Sequence, residues 1–209
     1  MATARHENSK RLFSRIVVVI GVFLILNVAT WLWGDCYVRL LLPVYQWSFE
    51  TLTPYYKVQS LRLEQQNNEP IIRVHAQTQG SRQLAGQRVW DGVSVSSSTL
   101  AGHALQHVII LFTAIILLPV QTRWERPALI ALTIPVLIFV EVLDVPLVLA
   151  GALEDLVLYN IDPKQLSSSF LVQGMHFMNS GGRLALSLIA PAIVILTLWT
   201  VNKHIRRTK

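Results

Sequence analysis

The chain has 209 residues, of which 52 % are hydrophobic and 14 % charged, with a formal net charge of +6. A soluble domain carries about 25 % charged residues, so the composition argues against a soluble domain and for a membrane protein. A single cysteine, Cys36, excludes an internal disulfide framework and a cysteine-built zinc ribbon.

Four runs are apolar and long enough to be membrane spans: 12–34, 100–120, 128–150 and 184–201. The first is longer than a signal-peptide core and lacks a small-x-small cleavage site, so it reads as a retained anchor. The residues before Cys36 are Trp33-Gly34-Asp35, which do not fit an acylation signal. Arg5, Lys10 and Arg11 precede the first run and Arg15 stands at its start, Arg123 and Arg126 fill the connection between the second and third, and Lys203, Arg206, Arg207 and Lys209 end the chain. Placing these three groups on the cytoplasmic side puts both termini inside. Trp31 and Trp33 then mark an outer interface, and Trp124 and Trp199 an inner one.

The connection from residue 35 to about 99 is then expected to face outward, to the periplasm if the cell is Gram-negative. Its first part, 36–47, mixes aromatic and aliphatic residues and is expected to lie along the membrane surface. Near-alternation over 57–64 and 71–78 predicts two strands, and Gln65-Gln-Asn-Asn-Glu-Pro70 between them predicts a hairpin turn. A third strand is expected over 88–95, after an 80–86 loop. A sheet of this size has too little core to stand alone and must lean on a helix, on the bundle or on a partner. The second outer connection, 151–183, is expected to be mainly loop, with a short helix over 170–178 ended by Asn179-Ser-Gly-Gly182. Pro119, Pro135, Pro146 and Pro191 read as kinks or span ends, with neighbouring groups taking up the carbonyls they free.

The third run contains two acids, Glu141 and Asp144, on one helix face. An ionised carboxylate at membrane depth costs about 2.5–3.5 kcal/mol on insertion scales and normally finds a partner or a wet cavity. The topology gathers His103, His107, Glu141, Asp144, His176, Arg183 and Cys36 at the outer rim of the bundle. The preferred reading is structural: Arg183 neutralises an acid, and the histidines hydrogen-bond nearby. The rivals are a metal or redox site on His103, His107 and Asp144, with Glu141 or His176 as further ligand candidates and copper or iron in a membrane oxidoreductase subunit, and a proton or substrate path. Catalysis by Cys36, as in a cysteine-dependent transpeptidase, would need a base within hydrogen-bond reach, and no local signature supplies one. Gly181-Gly182 lacks the Lys-Ser/Thr of a phosphate loop, and no aromatic RNA-binding motif accompanies the outer basic residues, so nucleic acid is not an expected partner.

An amino-terminal span, an outward strand-rich insert and three further spans ending in Leu184–Trp199 make up a layout similar to the exosortase H-associated membrane proteins. Ala190-Pro191, Trp199 and the 98–120 approach to the second span carry the resemblance. It implies an accessory role beside a membrane transpeptidase that handles carboxy-terminal sorting signals. The enzyme's own Cys and Arg motifs are not matched by Cys36.

The expectation is therefore a mainly α membrane protein, a four-transmembrane-helix bundle with a small extracytoplasmic β-sheet insert between helices 1 and 2. It divides into 1–35, 36–99 and 100–209. Its expected function is a non-catalytic scaffold in the lipid bilayer of the inner membrane, without a resident cofactor, that docks a membrane protein partner. A reporter fused after Gln79 should give an extracytoplasmic signal and one at Arg126 a cytoplasmic signal; the reverse pattern would invert the topology.

Overall fold

In a computed structural model, residues 2–80, 82–84, 87–118, 120 and 124–207 are described, with side chains over 16–80, 90–118, 120 and 124–200. Pro119, Arg123 and Lys209 lie outside the described residues, as do the side chains of Arg5, Lys10, Arg11, Arg15, Lys203, Arg206 and Arg207. Helix α1 spans Ala2–Leu52, followed by strands β1 Tyr56–Gln66, β2 Glu69–Thr78, β3 Arg82–Leu84, β4 Gln87–Val89 and β5 Ser94–Leu100. Then come α2 Ala101–Leu117, α3 Glu125–Ile161, α4 Phe170–Phe177 and α5 Arg183–Arg207.

Three stretches, Ile16–Leu52, Glu125–Ile161 and Phe170–Thr200, are long and apolar enough to cross a membrane; α2 is a shorter apolar helix. At ~1.5 Å per residue, α3 is about 55 Å long, more than the about 30 Å of a hydrocarbon layer. Its C-terminal half, with the second half of α1, supports the sheet.

Two expectations are corrected here. The 36–47 segment does not leave α1: the helix continues unbroken through Asp35 and Pro43 to Leu52. Val38, Leu41, Tyr45 and Phe49 recur every three or four residues, so they form one buried stripe. Burying that stripe against α3 and the sheet outweighs lying flat on a surface. The 151–183 connection is likewise mostly helical. α3 runs on to Ile161, a single 3₁₀ turn covers Pro163–Gln165, and Ser169 caps α4 by accepting from the Val172 amide. Asp162 caps the 3₁₀ turn in the same way, through Lys164.

The main sheet has the order β1-β2-β5, antiparallel throughout. Asn67 and Asn68 join β1 to β2 with both φ angles positive, 52° and 65°. That is the two-residue hairpin turn for which asparagine is suited. The third strand is Ser94–Leu100 rather than 88–95; Gln87–Val89 pairs instead with Arg82–Leu84 in a separate two-stranded ribbon. The serines at 94, 96, 97 and 98 mask the alternation that would have marked this strand. β5 passes directly into α2 at Leu100-Ala101, so no linker separates the sheet from the bundle.

The sheet's inner face, with Tyr56, Leu61, Ile72, Val74 and Ala76, packs on α1 and α3 and joins Val148, Leu149, Leu153 and Val157 in one core. A large side chain buried from water there contributes about 1.5–3 kcal/mol. A second core lies below it, from Leu111, Ile115, Leu129, Leu137, Val140, Ala190 and Val194. Gly151 brings α3 against α4: a Cβ there would collide with the Leu171 carbonyl oxygen and the Met175 Cβ. Pro146 has no amide hydrogen for the Val142 carbonyl, and Ser48 of α1 donates to that oxygen at 3.0 Å. The neighbour-supplied bond expected where a proline frees a helix carbonyl is present.

Candidate functional site

The polar residues of the helices form a layer between the two apolar cores. His107 stands between Ala104 of the first core and Leu111 of the second, and Glu141 and Asp144 between Val140 and Val145. Arg183 and Ser187 stand between Met178 and Ala190. Glu141, Asp144 and Ser187 are 0 % exposed, His107 1 % and Arg183 4 %.

Asp144 is the centre of the layer. Arg183 Nε donates to its Oδ1 at 2.8 Å, and His107 Nε2 lies 3.0 Å from its Oδ2. Arg183 also donates from an Nη to Thr99 Oγ1 on β5, at 3.0 Å. The far ring nitrogen of His107, Nδ1, meets Ser187 Oγ at 2.7 Å, and Ser187 donates back to the Arg183 carbonyl at 2.9 Å. A hydroxyl has one hydrogen to give. When Ser187 gives it to the carbonyl, Nδ1 donates to the Ser187 oxygen; when Ser187 gives it to Nδ1, that nitrogen accepts. One turn before Asp144, Glu141 accepts from Tyr37 at 2.9 Å and from Tyr45 at 2.6 Å. The layer thus links α1, α2, α3, α5 and the sheet.

A helical kink delivers Arg183 to this position. Between α4 and α5 the chain makes a wide turn over Met178–Gly182, where Gly181 has φ 120°, a conformation disfavoured for any residue with a Cβ. The turn shifts the helical phase, and Arg183 becomes the first residue of α5.

Of the sequence-derived candidates, His107, Glu141, Asp144 and Arg183 come together. His103 is half-buried and makes none of these hydrogen bonds. His176 and Cys36 are exposed and take no part in the layer. They stand apart from the other members of the expected cluster: His176 is exposed on α4, and Cys36 lies on the exposed side of α1. Sequence reasoning missed Ser187, Thr99, Tyr37 and Tyr45. The Arg183/Ser187 spacing of four and the Tyr37/Tyr45 spacing of eight, two helical turns, place each pair on one face and were the available signal.

The metal candidates His103, His107 and Asp144 do not converge as a set. Among the described residues no group of three or more His, Cys, Asp or Glu stands close enough to hold an ion. Both nitrogens of His107 and both oxygens of Asp144 already have hydrogen-bond partners. Ser187, His107 and Asp144 share the residue types of an acyl-transfer triad, with the ring reversed so that Nδ1 faces the serine. Ser187 is wholly buried and bonded back to its own helix, so it presents no atom to a substrate. The arrangement is a buried Arg183–Asp144 ion pair whose bonds to His107 and Thr99 join α2, α3, α5 and β5.

No family model, curated protein or solved structure matches the chain.

Removing one member of a buried ion pair typically costs about 3–5 kcal/mol, because the other charge is left without a partner, whereas replacing both by apolar groups costs far less. Arg183→Met should therefore lower the unfolding free energy in micelles by about that amount, and Asp144→Leu/Arg183→Met should recover at least half of the loss. Equal losses in the single and double variants would show that the pair carries no such coupling.

Proposed function

We propose that this chain is a non-catalytic membrane scaffold that spans the inner membrane four times, keeps both termini cytoplasmic, and holds its sheet on the outer side for a partner membrane enzyme. At ~1.5 Å per residue, α2 is about 25 Å long, close to the thickness of the hydrocarbon layer, and serves as the second span. Trp31 and Trp33 on one side, and Trp124 and Trp199 on the other, are all largely exposed, as interfacial anchors are.

One observation carries the reading. The ionisable groups at the heart of the bundle bond one another and the sheet, through Arg183 to Asp144 and Thr99, which leaves them to fix the sheet rather than to react. In the main sheet β1 is an edge strand, with β2 as its neighbour, and such an edge offers backbone pairing to another chain. The layout shared with exosortase H-associated membrane proteins makes a membrane transpeptidase the partner class to test first.

The test is co-purification from native membranes after mild solubilisation. A membrane enzyme should accompany the tagged chain in stoichiometric amount, and Cys36→Ser should retain it fully. Recovery of the tagged chain alone, after cross-linking in intact cells, would contradict the scaffold reading.

A further inference from the structure

We propose that the outward face of the three-stranded sheet docks an extended acidic segment of a partner protein; this deepens the scaffold reading and rests on it. Strand register defines the face row by row. Lys57 pairs with Gln77 and Gln77 with Ser94; Ser60 pairs with His75 and His75 with Ser96; Arg62 pairs with Arg73 and Arg73 with Ser98. Directly paired residues project to the same side of a sheet, and the residues between them, among them Leu61, Ile72, Val74 and Ala76, face the core. These three rows contain no acid and no large apolar side chain.

The charges are arranged at a cost. Arg62 and Arg73 stand opposite each other, and like charges so placed destabilise a sheet. Glu64, in the next row, lies 3.0 Å from the Arg73 guanidinium, and Gln66 accepts from Arg73 at 2.7 Å. Both partners serve Arg73. Arg62 and Lys57 are exposed and have no charged partner among the described residues. The excess positive charge of the face therefore sits at these two points.

Their separation selects the occupant. The Lys57 and Arg62 rows correspond to Ser94 and Ser98 on β5, four residues apart, or about 14 Å along the strand. An extended chain repeats its side chains on one face at about 6.8 Å, so carboxylates at positions i and i+4 match the two cations. Ser96 and His75, between them, supply hydrogen-bonding groups for the intervening backbone and side chain. The Lys57 row also lies six residues of β5 from Leu100, where α2 begins, about 20 Å away. The two cations stand about 14 Å apart along one strand direction, a span that an extended acidic chain bridges and a single headgroup does not.

Protein in phosphatidylcholine nanodiscs and a fluorescein-labelled deca-glutamate peptide provide the test. Wild type should bind the peptide in a salt-sensitive manner, and Lys57→Gln/Arg62→Gln should bind about tenfold more weakly with unchanged thermal unfolding. Absence of peptide binding, or equal binding by the variant, overturns the proposal. Displacement of the peptide by dihexanoyl phosphatidylglycerol at matched charge overturns it in favour of a headgroup. If the variant does not fold, salt-insensitive binding by wild type overturns it. An enzyme that co-purifies from native membranes while the peptide fails to bind removes this docking face and leaves the scaffold role standing; peptide binding with no co-purifying enzyme does the opposite.

Discussion

The Asp144 carboxylate, held between the Arg183 guanidinium and the His107 ring, is the interaction on which the remaining structure depends. A lone buried carboxylate is costly, and the sequence could have avoided that cost with a leucine. Instead the acid draws α2 and α5 onto α3, and Arg183 extends the contact to Thr99 on the sheet. Every close neighbour of the acid is therefore also a tether between elements. The Glu141 pair of tyrosine bonds does the same for α1.

The layer lies where two kinds of packing meet. In the core between the sheet, α1 and the far ends of α3 and α4, burial from water drives association. In the lower core, on the membrane reading, apolar side chains leave one apolar surroundings for another, so van der Waals fit and polar contacts must supply the specificity. Devices for close approach serve that need: Gly34 lies against Leu105 and Gly151 against α4, and Ser48 fills the bond that Pro146 leaves open. The sheet is consequently held by a joint at Leu100-Ala101, by its own core face and by Arg183.

The sequence disclosed the apolar runs, the hairpin around Asn67-Asn68 and the acids of α3, because each has a local signature of length, turn chemistry or charge. The ends of the helices were less legible. Gly34-Asp35 looks like the end of a span, yet helix propensity and a buried stripe from Val38 to Phe49 carry α1 onward. Leu153, Val157 and Leu158 extend α3 for the same reason, and their partners on the sheet are distant in sequence. β5 was displaced by several residues because a serine row conceals its inward positions. In the polar layer the charged members stood out by depth, whereas Ser187, Thr99, Tyr37 and Tyr45 are ordinary residues that acquire a role only when the fold sets them beside an ion. Cys36 and His176 show the converse: unusual residue types turned away by the phase of their helices.

Amide hydrogen exchange on Thr99→Val, compared with wild type in the same nanodiscs, tests most directly whether the ion layer fastens the sheet to the bundle. The substitution preserves shape and β-branching and removes one hydrogen bond to a charged group, worth about 1.5–3 kcal/mol. The account predicts exchange about tenfold or more faster across β5 and its β2 partners, with α2 and α3 unchanged. Identical protection of β5 in both proteins would contradict it and leave the sheet held by its apolar face alone.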